Sequence, residues 1–167
     1  LSKYAHVPAH TIHKYIYRAR SKSAPSLEDA TLQFKGERQA FSLRDNLHKN
    51  TLFIVDEASM ISGQRDNPIF GSGMLLEDLV RYVYSGEGCS MLLLGDDAQL
   101  PPVGSSQSPA LDENYMSGYQ LDIHSHTLTE VARQATDSGI LDNATRLRPF
   151  ALGSASAPSL EDGIKCL

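Results

Sequence analysis

No apolar run in this chain approaches the roughly 18 to 20 residues needed to span a bilayer, and its first residues lack the apolar stretch of a secretory signal. Both absences argue against a membrane or secreted protein and make a cytoplasmic location the expectation. Cysteine is scarce. Cys89 and Cys166 have neither the spacing of metal ligands nor the density of a disulfide scaffold, so both are expected as plain thiols. Cationic charge is in deficit, with 15 Lys and Arg against 20 Asp and Glu and a net charge of −5. That balance argues against a protein that coats duplex DNA by bulk electrostatics, while a local basic strip could still bind a strand. With 167 residues, 41% of them hydrophobic, the chain can bury one sizeable core, and a single compact unit is expected.

What is present begins with LFIVDEASM at residues 52 to 60, an apolar run that delivers Asp56 and Glu57 to its end. A short apolar run closed by polar groups reads as a buried parallel strand, and parallel sheets place ligands beyond the carboxyl ends of their strands. There one carboxylate can hold Mg²⁺ through its water shell while its neighbour orients or deprotonates a water. Taken alone, the pair equally fits a solvated strand end. A second run, SMLLLGDDAQLPPVG at residues 90 to 104, repeats the arrangement. Met91 to Leu94 are expected as a buried strand, Gly95 as a close backbone turn, and Asp96, Asp97 and Gln99 as groups delivered beside Asp56 and Glu57. Gln99 is a neutral hydrogen-bonding group suited to sensing a terminal phosphate. The third run, HTLTEVARQ at residues 126 to 134, reads as a short strand leading into a helix that carries Arg133, whose planar fork of donors suits phosphate oxygens.

In this order and spacing, DEAS, GDDAQLPPVG and VARQ resemble motifs II, III and IV of the superfamily 1B DNA helicases of the RecD-like and Dda-like type. AHTIHKYIY at residues 9 to 17 and DSGILDNATRLR at residues 137 to 148 extend the likeness to roughly residues 5 to 148. The resemblance implies an α/β fold, a partial RecA-like P-loop NTPase domain over residues 1–148 whose mainly parallel sheet is flanked by helices. Residues 149–167 would form a weakly ordered linker or the start of a further segment. It implies ATP and Mg²⁺ as cofactors, Asp56 as the magnesium residue, Glu57 as the catalytic base, Gln99 as the phosphate sensor and Arg133 as an arginine finger. It also implies translocation along single-stranded DNA, in the 5′ to 3′ direction, in recombination or repair.

One departure from that pattern is large. The string G-x-x-x-x-G-K-S/T, whose amides, lysine and hydroxyl cradle the phosphates and Mg²⁺, does not occur. Nor do the motifs of a second RecA-like domain follow Arg148. The chain is therefore expected to be a piece of a first motor domain, inactive alone, whose partners are single-stranded DNA and the missing remainder of the helicase. A non-catalytic relic that binds nucleic acid or protein is the alternative.

The first 22 residues hold Lys3, Lys14, Arg18, Arg20 and Lys22, three tyrosines and no acid. In TIHKYIYRAR the helical spacing of Ile12, Tyr15, Ile16 and Ala19 leaves Thr11, Lys14 and Arg18 outward. The strip reads either as a single-stranded DNA contact, with Thr11, His13 and Lys14 as contact residues, or as an amphipathic surface helix. His6, His10 and His13 do not imply a metal, since Pro8 interrupts a continuous helix and no acid or thiol is near. Pro101 and Pro102 stiffen the loop after Gln99, which could carry nucleotide state to DNA or simply end a strand. A helix start is expected at Ser26, a small hairpin or irregular insertion from LQF and AFSL, and a loop over residues 63 to 73. The helix MLLEDLVRYVYSG should complete a βαβ unit, and order should weaken from about residue 150. APSLED occurs at 24 to 29 and again at 157 to 162, more in the manner of a reused capping pattern than of a structural repeat.

Overall fold

A computed structural model describes residues 8–19, 41–128 and 139–153 of the chain. Its organising unit grows from the two apolar runs. Strand β3, Leu52–Val55, and strand β4, Ser90–Leu93, pair in parallel with Val55 opposite Leu93, and helix α2, Leu75–Tyr84, connects them. This is the expected βαβ unit, and with it the chain is a mixed α/β protein with a small parallel sheet and helices. Helix α2 has neither glycine nor proline inside it, and Leu76, Leu79, Val80 and Val83 recur at three- and four-residue spacing on its buried face. Glu77 and Asp78 occupy its first turn, where negative charge suits the helix dipole.

The first sheet is antiparallel and small: β1, Tyr17–Ala19, pairs with β2, Phe41–Leu43. The buried carboxylate of Asp78 joins it to α2, accepting from the Tyr17 hydroxyl at 2.7 Å and from the Ser72 N–H at 2.9 Å. Burial, followed by this hydrogen bond and the Asp78 charge, raises the Tyr17 pKa well above its ordinary value, so the hydroxyl remains a donor. Gly71 makes the junction possible. Its φ is +47°, and an added Cβ would lie 2.1 Å from Asp78 Oδ2.

Several sequence expectations are corrected. The helix at TIHKYIYRAR is only α1, Ile12–Ile16, and Ala19 is an exposed residue of β1. Five residues make a marginal helix, and distant donors redirect the chain. The Arg44 N–H bonds the Ile16 carbonyl and Arg44 Nε the Tyr17 carbonyl, both at 2.7 Å. Thr11, Lys14 and Arg18 are exposed as expected. The strands 52–55 and 90–93 are not fully buried: Leu52, Ile54, Leu92 and Leu94 are 42 to 63% exposed. Successive strand residues point to opposite faces, and these four share the face turned away from the core, where Val55, Leu79, Val80 and Val83 lie. His126–Leu128, read as strand-like, is exposed and without regular structure. Helix α4, Gly139–Ala151, follows the short helix α3, Glu113–Ser117, and runs through Pro149, with Gly153 beyond its end at φ +68°. The segment 63–73 is turn-rich, as expected. Ser26, LQF and Arg133 lie outside the described residues. Among those described, no helix is long and apolar enough to cross a membrane.

Candidate functional site

Asp56 and Glu57 are pushed out of the sheet by its own hydrogen bonds. The Val55 carbonyl accepts from the Leu94 N–H, and the Leu94 carbonyl accepts from the Ala58 N–H, each at 2.8 Å. The ladder thus steps over two residues, and both carboxylates stand exposed at the carboxyl edge. Glu57 takes φ +55° and ψ +39°, a left-handed conformation that costs a non-glycine residue about 1 to 2 kcal/mol. Its N–H donates to Asp56 Oδ1 at 3.1 Å, and the chain continues into a 3₁₀ turn, Ala58–Met60. Backbone strain of this kind clusters at functional sites, and here it lies at the carboxyl end of a parallel strand.

The neighbouring strand brings the second group to the same edge. Gly95 is needed there for close approach, because a Cβ would meet Ser59 N at 2.9 Å and Leu111 Cδ1 at 2.8 Å. The turn that follows closes on Asp96: its Oδ1 accepts from the Ala98 N–H at 3.0 Å and its carbonyl from the Gln99 N–H at 3.1 Å. Arg148 completes this arrangement from helix α4, with Nη2 to Asp96 Oδ1 at 2.8 Å, Nη1 to Asp96 Oδ2 at 3.3 Å and Nη2 to Asp97 Oδ1 at 3.4 Å. Partial burial raises the Asp96 pKa, but the Arg148 guanidinium, the Ala98 N–H and the Gln99 amide together outweigh it and hold the carboxyl below its ordinary value.

Adjacent strand ends therefore carry Asp56, Glu57, Asp96, Asp97 and Gln99. Gln99 is exposed, whereas Pro102 is buried, its carbonyl accepting from the Ser105 N–H at 3.0 Å. The intermediate Pro101 and buried Pro102 fix a loop whose flanking Leu100 and Val103 stand in solvent. The described part of the basic strip, residues 8–19, is not part of this edge. Thr11, which precedes α1, and His13 and Lys14 on it are exposed, and α1 packs near the start of β3 through Tyr15, bonded to His48 at 2.9 Å and edge-on to Phe53. The His13 ring lies edge-on to Phe70 at 5.0 Å. Arg148 is the site residue that sequence reasoning missed, because its ion pair spans 52 positions and leaves no local spacing signal.

Hard, exposed carboxylate oxygens suit a hydrated Mg²⁺ in the chemistry of the Asp56–Glu57 donor set. No group of three or more His, Cys, Asp or Glu side chains that could hold a metal occurs among the described residues. No curated protein and no solved structure matches this chain. The model of one family, described as an AAA domain, matches residues 1–149. With nearly its whole length matched and paired carboxylates at the carboxyl edge of a parallel sheet, the chain belongs to the AAA domain family of P-loop nucleotide hydrolases.

Proposed function

We propose that the chain forms part of an ATP-dependent DNA helicase motor of the RecD-like superfamily 1B type, acting in the cytoplasm in DNA recombination or repair. The observation that supports this reading best is the expulsion of Asp56 and Glu57 from the ladder beside the turn that carries Gln99. In the proposal, a phosphate loop and a second RecA-like domain are contributed by the remainder of the protein.

Asp56 would hold Mg²⁺ through its exposed oxygens. Bound with ATP, the ion neutralises charge on the phosphates. Glu57 accepts a proton from the attacking water, its carboxylate turned outward by the left-handed backbone. Gln99 hydrogen-bonds the terminal phosphate oxygens without adding negative charge, and Arg133 meets charge that develops there. Thr11, His13 and Lys14 contact the phosphates of a single strand, and the Pro101–Pro102 loop transmits the position of Gln99 to it. Movement is assigned the 5′ to 3′ direction of the subfamily.

The test is ATP hydrolysis by the full-length protein with and without a single-stranded oligonucleotide. The expected result is Mg²⁺-dependent turnover that accelerates severalfold when the oligonucleotide is added. Equal rates with and without DNA would remove the helicase reading and leave a nucleotide hydrolase.

A further inference from the structure

Nothing in the local sequence around Arg148 marks it for the site, yet its guanidinium grips both acids that precede Gln99. Three contacts between 2.8 and 3.4 Å are made from a helix that begins 40 residues beyond Gln99. Asp96 is the shared element. It receives the guanidinium on both oxygens and the Ala98 N–H on one, and its backbone carbonyl accepts from the Gln99 N–H at 3.1 Å. Arg148 therefore sets the rotation of the Asp96 carboxylate, and that carboxylate, through the Ala98 N–H, closes the turn that carries Gln99. We infer that Arg148 is a positioning residue that fixes Gln99 through Asp96.

The physical case rests on geometry and charge. A planar fork on a carboxylate fixes both distance and plane, which a single point charge does not. Asp96 and Asp97 are adjacent like charges next to Asp56 and Glu57, and without a cation their repulsion would loosen the turn. The pair is partly solvated, at 46% exposure for the Arg148 side chain and 34% for Asp96, so its contribution is that of a screened ion pair strengthened by bidentate geometry. Helix α4 gains a role in the same way, because a shift of α4 moves the guanidinium and, with it, the carboxylate that closes the turn carrying Gln99. The catalytic part of this inference rests on the nucleotide reading proposed above, whereas the positioning part does not.

Two readouts on the full-length protein test it. In amide hydrogen exchange, Arg148→Ala should speed exchange of the segment 96–99 about three- to tenfold, since the turn loses its charge-assisted anchor. Arg148→Lys should fall between, because an ammonium cannot make the fork. In ATP hydrolysis, Arg148→Ala should lower kcat about three- to tenfold with KM little changed, and Gln99→Ala/Arg148→Ala should be no slower than Gln99→Ala alone. Unchanged exchange at 96–99 in Arg148→Ala would overturn the positioning role, as would fully additive losses in the double variant. Faster exchange in a protein whose wild type hydrolyses no ATP would overturn the nucleotide reading and leave the positioning of Gln99 standing.

Discussion

Glu57→Gln in the full-length protein is expected to slow ATP hydrolysis by about 10² to 10⁴, the usual contribution of a positioned general base, while ATP still binds. The substitution keeps the shape of the side chain and removes only the capacity to take a proton. Glu57 makes its structural contacts through the backbone, with its N–H on Asp56 and its carbonyl accepting from Met60 at 3.3 Å, so the amide variant leaves them intact. Glu57→Gly serves as the partner experiment. Glycine relieves the left-handed strain, so this variant should be more stable by about 1 kcal/mol and as inactive as Glu57→Gln. A gain in stability bought with activity is what strain retained for function predicts. Single-turnover hydrolysis and chemical denaturation separate the two effects, and wild-type turnover in Glu57→Gln would remove the assignment.

Leu76→Ala should cost about 2 to 5 kcal/mol of folding stability, read from the midpoint of urea denaturation at constant slope. Leu76 is fully buried on the apolar face of α2, in the same core as Leu79 and Val83, and truncation leaves a cavity in that core. The informative contrast is Ile54→Ala. Ile54 is equally apolar and sits within a strand, but at 63% exposure it should cost less than about 1 kcal/mol. Equal losses at the two positions would mean that the outer face of the sheet is covered in the protein, with Ile54 packed as firmly as Leu76.

The elements that carry strong local patterns were legible from residues alone. The apolar runs at 52–55 and 90–93, their parallel pairing and the connecting helix all follow from composition and periodicity. The convergence of the DEAS and GDDAQ segments on one edge follows from parallel pairing, since a parallel sheet aligns its strand ends. Which face of the strands is covered was not legible, because LFIV and MLLL are apolar in both phases of the two-residue repeat and alternation cannot be read from them. The change from helix to strand at Tyr17 was hidden too. Ile12, Tyr15 and Ile16 are compatible with a longer helix, and the decision is made by Arg44, 27 residues away. Arg148 was missed for the same reason at a still greater distance. The close approach expected at Gly95 is present, and the groups that approach are Ser59 and Leu111.

The proposal that Asp56 anchors the metal of a nucleotide site is tested most directly by ATP binding to the full-length protein, titrated calorimetrically across Mg²⁺ concentrations in wild type and Asp56→Asn. Wild-type affinity should rise with Mg²⁺, and Asp56→Asn should lose most of that dependence while keeping its fold, because the amide is a weaker ligand for a hard cation. An Asp56→Asn titration that follows the wild-type Mg²⁺ dependence would contradict the assignment of this strand end as the metal and nucleotide site.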